Sequence, residues 1–216
     1  TAVPQAASWS LSVTGKPNPR VCFVGTASGD AESARYKFYE AMAGLDCRAT
    51  HLSLIAPPTA DLASFVSEQD AIYVGGGNTR TLLAVWREWG LDTALRAAYE
   101  RGVVMGGISA GMICWFEHGV TDSIPGALTA LRGLGWIAGS ACPHYDGEAA
   151  RRPAYRRMVA DGTLPAGYAA DDGAALHFVN EALAEVVVSR PRANAYRVER
   201  GTDGALETPL PARTLA

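Results

Sequence analysis

One serine stands where it could act as a nucleophile. Ser109 lies in the segment Gly107-Ile-Ser-Ala-Gly111, which fits the pattern G-x-S-x-G and separates two apolar runs. In hydrolases with this pattern, a strand ends in a sharp turn and the turn lifts the serine Oγ out at the sheet edge. The structural alternative is that Gly107 and Gly111 only let a helix and a strand pack closely. The strand-then-helix context favours the nucleophile.

A serine nucleophile needs a base, which is usually a histidine. The chain has four histidines. His51 and His177 lie in apolar segments typical of core strands, and His118 follows the predicted nucleophile helix, where we expect it to be exposed. His144, in CPHYDGE, lies in a loop directly after a predicted strand, and such loops often carry site residues. We therefore predict His144 as the base.

A carboxylate should orient this imidazole and stabilise its charged form. One candidate is Asp122, in the loop after the nucleophile helix, and two others are Asp146 and Glu148, just past His144. The residues alone also leave Glu117, Asp171 and Asp172 open.

A second glycine cluster ends another predicted strand at residues 75–77. It lacks the G-x-G-x-x-G spacing of a dinucleotide site and the lysine of a P-loop. We expect an amide N–H of Gly76 or Gly77, together with the N–H of Ala110, to face an oxyanion. The structural alternative is a tight turn with positive φ at one of the glycines.

The elements that must position these residues alternate between strand and helix. The predicted strands are 20–28, 47–55, 70–77 and 103–109, and the predicted helices are 30–45, 59–69, 78–102 and 110–119. Asp30 is the expected N-cap of its helix, and Gly90 is expected to break the third one. Alternation of this kind predicts an α/β fold, with a mostly parallel sheet sandwiched between helices. Ligands bind beyond the carboxyl ends of such strands, where both glycine clusters lie.

The second half of the chain has a weaker pattern. Residues 136–146 and 174–190 indicate strands, and 148–162 indicate a helix with Pro153 in its first turn. A terminal hairpin is expected at 195–210, with Asp203-Gly204 at its turn. We expect a single α/β domain over residues 1–216. It would have an irregular N-terminal segment at 1–19 and a C-terminal hairpin or extension at 195–216.

Composition limits the classes of function. The 216 residues are 48% hydrophobic with a net charge of −3, so a nucleic-acid partner is not expected. Apolar runs fall short of the ~20 residues that cross a bilayer, and the N-terminal residues lack the order of a signal peptide. The four scattered cysteines have no metal-ligand spacing. They predict reduced, mostly buried thiols in a cytoplasmic protein without a metal site.

Four motifs in one order resemble the peptidase E family of serine peptidases, whose relatives include aspartyl dipeptidases and, more distantly, cyanophycinases. The motifs are YVGGGNTRTLL, GISAGMICWF, GVTDS and CPHYDGE, within a resemblance that runs from about residue 20 to about residue 190. The resemblance implies a fold similar to class I glutamine amidotransferases, with a nucleophile elbow. It also implies Ser109 as the nucleophile and His144 as the base.

The resemblance bears on the acid as well. Aspartyl dipeptidases are similar in carrying an Asp in a Thr-Asn-Asp segment, and VTDS puts Asp122 in that place without the Asn. Amidotransferase relatives carry a carboxylate two residues after the histidine, which corresponds to Asp146. We take Asp122 as the predicted acid and Asp146 as the alternative.

The substrate implied by the resemblance is a dipeptide with an N-terminal Asp. An arginine is the best partner for the Asp carboxylate, and Arg151 and Arg152 resemble in position an arginine that binds it in the family. Their alternative is a solvated helix face. Arg80 is a weaker candidate, and Asn78 and Tyr145 are further expected substrate contacts.

The resulting prediction is a cytoplasmic serine exopeptidase without a cofactor, because serine acyl transfer needs only nucleophile, base and oxyanion donors. The alternatives are a carboxypeptidase-type exopeptidase of the same family, an esterase-like serine hydrolase, and a non-catalytic amidotransferase-like binding protein. The expected partners are short peptides, with neither nucleic acid nor membrane, and a homodimer is left open.

Overall fold

A computed structural model describes residues 2–215 of the chain, with side chains from Gln5 onward. Thr1 and Ala216, which the predicted domain includes, lie outside the described residues. The chain divides into two compact units, one containing Ala7–Gly111 and the other containing residues 112–215. The predicted single domain stays a prediction.

The N-terminal segment, predicted to be irregular, contains helix α1 (Ala2–Ser12). Ala7 and Leu11 explain the difference. They lie four residues apart on one helix face and pack in a buried cluster with Val21, Phe23 and Phe38. Tertiary packing therefore stabilises a helix for which the local pattern gave no signal.

The first unit then alternates strand and helix, as predicted. Its elements are β1 (Arg20–Val24), α2 (Glu32–Met42), β2 (Arg48–Leu52), α3 (Leu62–Ser67), β3 (Ala71–Val74), α4 (Thr79–Trp89), α5 (Leu91–Glu100) and β4 (Val104–Gly107). The four strands form one parallel sheet in the order β2-β1-β3-β4. The predicted break at Gly90 is confirmed, because this glycine ends α4 in the left-handed conformation.

Both faces of this sheet are covered. On one face Phe23 stacks on Phe38 of α2, with ring centroids 5.1 Å apart. Successive strand residues point to opposite faces, and Cys22 and Val24, on the other face, are fully buried. An apolar parallel sheet buried on both sides is what the continuous hydrophobic runs predict.

Asp30 is not the N-cap of α2, because that position belongs to Ala31. Asp30 has a left-handed backbone with a φ of 56°. Its carboxylate accepts hydrogen bonds from Ser53 Oγ at 2.7 Å and Leu54 N at 3.0 Å, in the loop after β2. Asp30 therefore ties two loops together instead of capping its own helix.

After β4 comes a short helix, α6 (Ala110–Ile113), and then the second unit. Its elements are β5 (Phe116–Thr121), β6 (Thr129–Arg132), β7 (Ile137–Cys142), α7 (Arg151–Ala160), β8 (Gly167–Ala170), β9 (Ala174–Val179), β10 (Ala182–Val188), β11 (Ala195–Gly201), β12 (Gly204–Pro209) and β13 (Ala212–Thr214). They form a six-stranded sheet, β12-β11-β8-β7-β5-β6, and a three-stranded sheet, β13-β10-β9. The central strands β5, β7 and β8 are parallel.

The helix predicted at 110–119 ends at Ile113, and β5 takes the rest. β5 pairs with both β6 and β7. Gly119 packs so closely on Ile113 and on the Ala141 carbonyl that a Cβ would crowd both. Long-range strand pairing thus overrides the local helical pattern. His118 consequently lies half-buried within a strand instead of exposed after a helix.

Two features of the second half follow the sequence more closely. Pro153 lies in the first turn of α7, as predicted, where its missing N–H costs no helical hydrogen bond. The predicted C-terminal hairpin forms from β11 and β12, but its turn is Thr202-Asp203. Gly204 already pairs with Gly201. Among the described residues, no helix combines the length and the apolarity that crossing a membrane requires.

Candidate active site

Ser109 lies in a sharp turn between β4, which ends at Gly107, and α6, which begins at Ala110. Its φ is 58°, in the left-handed region that residues other than glycine seldom adopt. The N–H of Gly111 donates to the carbonyl of Ile108 at 2.8 Å and closes the turn. Backbone outliers of this kind cluster at functional sites, because the surrounding fold must hold them.

Close packing on β3 explains the two glycines of the motif. A Cβ on Gly107 would lie 2.5 Å from the carbonyl oxygen of Val74, and one on Gly111 would overlap the same oxygen. Both residues therefore must be glycine for the turn to pack against the end of β3. This packing is expected both for a nucleophile turn and for the structural alternative of close helix–strand contact, so the role of the two glycines in a nucleophile turn stays a prediction.

Gly76 and Gly77 have different roles. A Cβ on Gly76 would lie 3.1 Å from the Cβ of Ser109, so this residue is a direct neighbour of the serine. Gly77 has a φ of 137° and fits against Ala27, whose carbonyl oxygen a Cβ would overlap. Gly77 thus meets the structural alternative of a tight turn with positive φ.

Asn78, predicted to contact substrate, is the N-cap of α4. Its side-chain oxygen accepts a hydrogen bond from Thr81 N at 2.9 Å, and its own N–H donates to Ala27 O at 2.8 Å. The structure therefore gives Asn78 a structural role at the start of the helix.

His144 follows β7 and also has a left-handed backbone, with a φ of 55°. Its Nδ1 lies 2.6 Å from Asp172 Oδ1, and 22% of its side chain is exposed. An ionised carboxylate can only accept a hydrogen bond, so Nδ1 carries the proton. Nε2 is then the ring nitrogen with a free lone pair, as a general base requires.

Asp172 follows β8, the parallel neighbour of β7, so both residues lie at carboxyl ends of adjacent strands. In the described structure, neither Asp122 nor Asp146 is the carboxylate at His144. Asp122 lies 3.5 Å from the guanidinium of Arg151, while Asp146 accepts from the backbone N–H of Asp172 at 2.9 Å. The positive charge of Arg151 explains the position of Asp122.

Gly147 makes room for Asp172, which sequence reasoning did not foresee. A Cβ at this position would overlap Oδ2 of Asp172. The carboxylate that contacts His144 therefore lies against a residue without a side chain. The signal was present in CPHYDGE, as a glycine three residues after the histidine.

Arg151 does not have the exposed position that a substrate contact needs. It is 1% exposed and donates to Glu148 Oε2 at 2.7 Å and to the carbonyl of Val120 at 3.0 Å. Asp122 lies on its other side. The expected role in substrate binding is therefore corrected: α7 turns Arg151 inward, where it pairs with two carboxylates.

Arg152 and Tyr145 are engaged in a second cluster. Arg152 pairs with Glu207 and its guanidinium lies over the rings of Tyr145 and Tyr196, 5.2 Å from each centroid. Tyr145 is buried and its hydroxyl donates to the same Glu207. Burial, followed by the Glu207 contact, raises the pKa of this phenol. Both residues therefore brace the His144 loop instead of facing a substrate.

With this geometry established, the comparisons with known proteins identify the family. The model described as Peptidase family S51 matches residues 3–186. The chain belongs to peptidase family S51. The resemblance to peptidase E inferred from the motifs is thereby confirmed.

Two relatives are named peptidases. The S51 chain is 56% identical over 205 residues to the Bacillus subtilis (strain 168) protein named uncharacterized peptidase YgaJ, covering 95% of the chain and 89% of the relative. It is 36% identical over 94 residues to peptidase E of Streptomyces coelicolor, covering 43% of the chain and 36% of that protein.

Two crystal structures share the fold. A peptidase from an acI-B1 actinobacterium matches with a TM-score of 0.73 and 17% identity, over 97% of this chain and 89% of the other. A Listeria monocytogenes EGD-e protein described as a candidate peptidase E matches with a TM-score of 0.58 and 17% identity, over 96% and 95%. The α/β fold predicted from the sequence is confirmed.

Two other histidines of this S51 peptidase, His51 and His177, have polar partners. His51 lies 2.8 Å from the Tyr39 hydroxyl through Nδ1, and His177 Nδ1 lies 3.3 Å from Glu185 Oε1. Both side chains are half-buried, which corrects the expectation of a core position for His177. These contacts agree with structural roles.

The cysteines are not arranged as nucleophiles. Burial raises the pKa of Cys22 to about 12 and also raises those of Cys114 and Cys142. A thiol reacts as the thiolate, so burial suppresses its reactivity. Within the described part of the chain, no group of three His, Cys, Asp or Glu residues could hold a metal ion.

Proposed function

We propose that this S51 peptidase is a serine exopeptidase that hydrolyses short peptides through an acyl-enzyme on Ser109. Family membership supports peptide hydrolysis. The observation that carries the serine assignment is the left-handed turn at Ser109, held between two glycines that press on β3. A fold maintains such a strained residue where the chemistry needs its side chain presented.

In the proposed mechanism, Ser109 Oγ attacks the carbonyl carbon of the peptide bond while His144 Nε2 takes the hydroxyl proton. The N–H groups of Gly76 and Ala110 would stabilise the oxyanion. His144 then gives the proton to the leaving amine, which leaves an ester on Ser109. Water attacks this ester, and His144 first takes its proton and then returns it to the serine.

The acid in this proposal is Asp172 instead of Asp122. Its support is the 2.6 Å contact with Nδ1 of His144. A carboxylate in this place selects the tautomer with its lone pair on Nε2 and stabilises the imidazolium that forms during attack. Asp122 is instead committed to the buried Arg151.

The substrate is proposed as a short peptide, and preference for an N-terminal Asp stays a prediction from the family resemblance. The two arginines predicted to bind the Asp carboxylate have other partners, since the buried Arg151 pairs with Glu148 and Arg152 pairs with Glu207. A comparison of Asp-Xaa dipeptides, other dipeptides and N-blocked peptides decides the matter. Equal cleavage of N-blocked peptides would support the carboxypeptidase-type alternative.

A cytoplasmic site of action belongs to the same proposal. Cys22, Cys47 and Cys142 are free thiols, although Cys47 is only half-buried. Thiols persist in reducing compartments, whereas secreted proteins of this size tend to form disulfides.

Labelling with a fluorophosphonate tests the nucleophile directly. The wild type and Ser64→Ala, a control at an exposed serine of α3, should label equally. Ser109→Ala should not label and should lose about 10⁶-fold in kcat, while His144→Ala should label far more slowly. Labelling that persists without Ser109 would contradict the proposed function.

A further inference from the structure

A second pair of side chains lies behind Asp172. Asp146 Oδ1 accepts the backbone N–H of Asp172 at 2.9 Å, and Arg190 Nε donates to the Asp172 carbonyl at 2.9 Å. Arg190 also donates to Oδ2 of Asp146 through Nη2. The two backbone polar groups of Asp172 are thus bound by two side chains that are bound to each other.

Asp172 needs such support because of its location. Its side chain is 52% exposed, and the residue lies in the short loop between β8 and β9, just before Gly173, whose φ is 83°. An exposed carboxylate on a loop does not hold one orientation by packing alone. Fixing its backbone leaves only the side-chain torsions, which settle in a few rotamers.

The neighbouring residue anchors the loop on the other side. Asp171 is buried, and its Oδ2 accepts from Asn194 N at 2.9 Å. Its own N–H donates to the Asn194 carbonyl at 3.0 Å. The loop is therefore attached both to the chain before β11 and, through Arg190, to the chain after β10.

We propose that Asp146 and Arg190 form a positioning pair that sets the Asp172 carboxylate against His144 Nδ1. The proposal rests on the proposed function, in which Asp172 orients the catalytic histidine. Asp146, the alternative acid on sequence grounds, thus acts on His144 only indirectly, by holding the backbone of Asp172. Arg190 lies beyond residue 186, where the match to the S51 model ends.

The charges around the pair are consistent with this role. Asp146 faces Arg190, Asp171 and the backbone of Asp172. Arg190 acts on all three carboxylates, and Arg152 acts on Asp171 as well. Burial opposes ionisation of Asp146, but hydrogen bonds from Arg190 and Asp172 N lower its pKa overall. Asp146 therefore stays ionised at neutral pH and keeps accepting both hydrogen bonds.

The test separates positioning from simple electrostatics by the sign of the change in the His144 pKa that Arg190→Gln produces. In a Ser109→Ala background with ¹³C-labelled histidine, NMR titration follows the pKa of His144 in Asp172→Asn, Asp146→Asn, Arg190→Gln and the control Asp122→Asn. Loss of the Asp172 contact should lower the His144 pKa. Removal of the Arg190 charge alone would raise it, because a nearby cation disfavours imidazolium.

Positioning predicts that the His144 pKa falls in Arg190→Gln and in Asp146→Asn, and that both decreases are smaller than the decrease in Asp172→Asn. The His144 pKa should not change in Asp122→Asn. The rate of fluorophosphonate labelling, measured with Ser109 present, should fall about ten- to a hundredfold in both pair variants. Asp146→Asn with Arg190→Gln should lose little more than either alone, because the two act as a unit. Arg190→Lys, which keeps the charge but has one donor nitrogen instead of the two used by Arg190, should recover part of the rate.

A raised or unchanged His144 pKa in Arg190→Gln, with wild-type labelling, would overturn the proposal and leave the proposed function standing. A labelling rate that survives Asp172→Asn would contradict the proposed function instead. The His144 pKa in Arg190→Gln then still decides the positioning role, because loss of the Asp146 charge would lower this pKa by electrostatics alone. Thermal unfolding of each variant identifies losses of labelling rate that come from misfolding alone.

Discussion

The Ser109 turn and the His144 loop hold their residues in opposite ways. Ser109 is held by backbone contacts, since Gly107 and Gly111 pack against the carbonyl of Val74. His144 is held by charged side chains: Asp172 contacts the imidazole, and Asp146 accepts a hydrogen bond from the backbone of Asp172. Steric contacts do not depend on salt or pH. Exposed ion pairs, in contrast, weaken when salt is added and when the pH falls far enough to protonate their carboxylates. We therefore expect the geometry of the Ser109 turn to be insensitive to salt and pH, and the geometry of the His144 loop to depend on both.

Among the substitutions that test this contrast, removal of the Asp172 charge beside His144 should have the largest effect. Asp172→Asn keeps the shape of the side chain but no longer selects the Nε2 base tautomer, so we expect kcat to fall by about 10⁴. Asp122→Asn should leave kcat near the wild-type value, because Asp122 lies against Arg151. Steady-state kinetics on a cleaved dipeptide measures both, and a larger loss in Asp122→Asn would return the role of acid to that residue.

Crowding the histidine loop should have the next largest effect. In Gly147→Ala the new methyl group would overlap Oδ2 of Asp172 and displace the carboxylate. A displacement of about 1 Å costs on the order of a hundredfold in rate. Because Gly147 is exposed, the unfolding temperature should barely change, and exposed Ala149→Ser serves as the control. A wild-type kcat in Gly147→Ala would mean that the carboxylate is not held tightly.

Crowding the serine turn should instead cost stability. Gly107→Ala places a Cβ 2.5 Å from the Val74 carbonyl, whereas Gly106→Ala, one residue earlier, meets open space. Overpacking of this kind costs about 1–3 kcal/mol, so denaturant unfolding should separate the two variants by that amount. Equal stability would show that the turn can yield, and the contrast between the two regions would disappear.

The smallest effect should be at Asn78, beside the serine turn. Asn78→Ala removes the N-cap of α4 and should cost about 1 kcal/mol of unfolding free energy. KM and kcat should stay unchanged, because its side chain bonds Thr81. Asp61→Ala, which removes the N-cap of α3, provides the matched comparison. A raised KM in Asn78→Ala alone would restore the predicted substrate contact.

The same contrast explains what the sequence could predict. The strands of the first unit and the Ser109 turn follow from local patterns, namely apolar runs and glycines at fixed spacing. The break at Gly90 follows for the same reason. Helix α1 and the boundary between α6 and β5 do not follow from local patterns. Packing of Leu11 determines the helix, and pairing of β5 with its neighbours determines the boundary.

The proposed acid could not be chosen from the sequence because its signal is not local. Asp172 follows β8, a strand of only four residues, GYAA, which has no distinctive pattern. Its partner His144 lies 28 residues away along the chain. Likewise the helical pattern of α7 cannot tell that Arg151 faces inward and Arg152 outward. Six carboxylates were therefore open on sequence grounds, and pairing of β7 with β8 brings one of them, Asp172, to His144.

The C-terminal hairpin has a consequence for exchange of parts among relatives. Glu207, on β12, holds both Arg152 and Tyr145, and it lies past residue 186, where the S51 match ends. A chimera that took residues 3–186 from this chain and its tail from a relative would depend on the new tail for a carboxylate at the place of Glu207. Recombination among relatives should therefore succeed only when the new tail supplies that carboxylate.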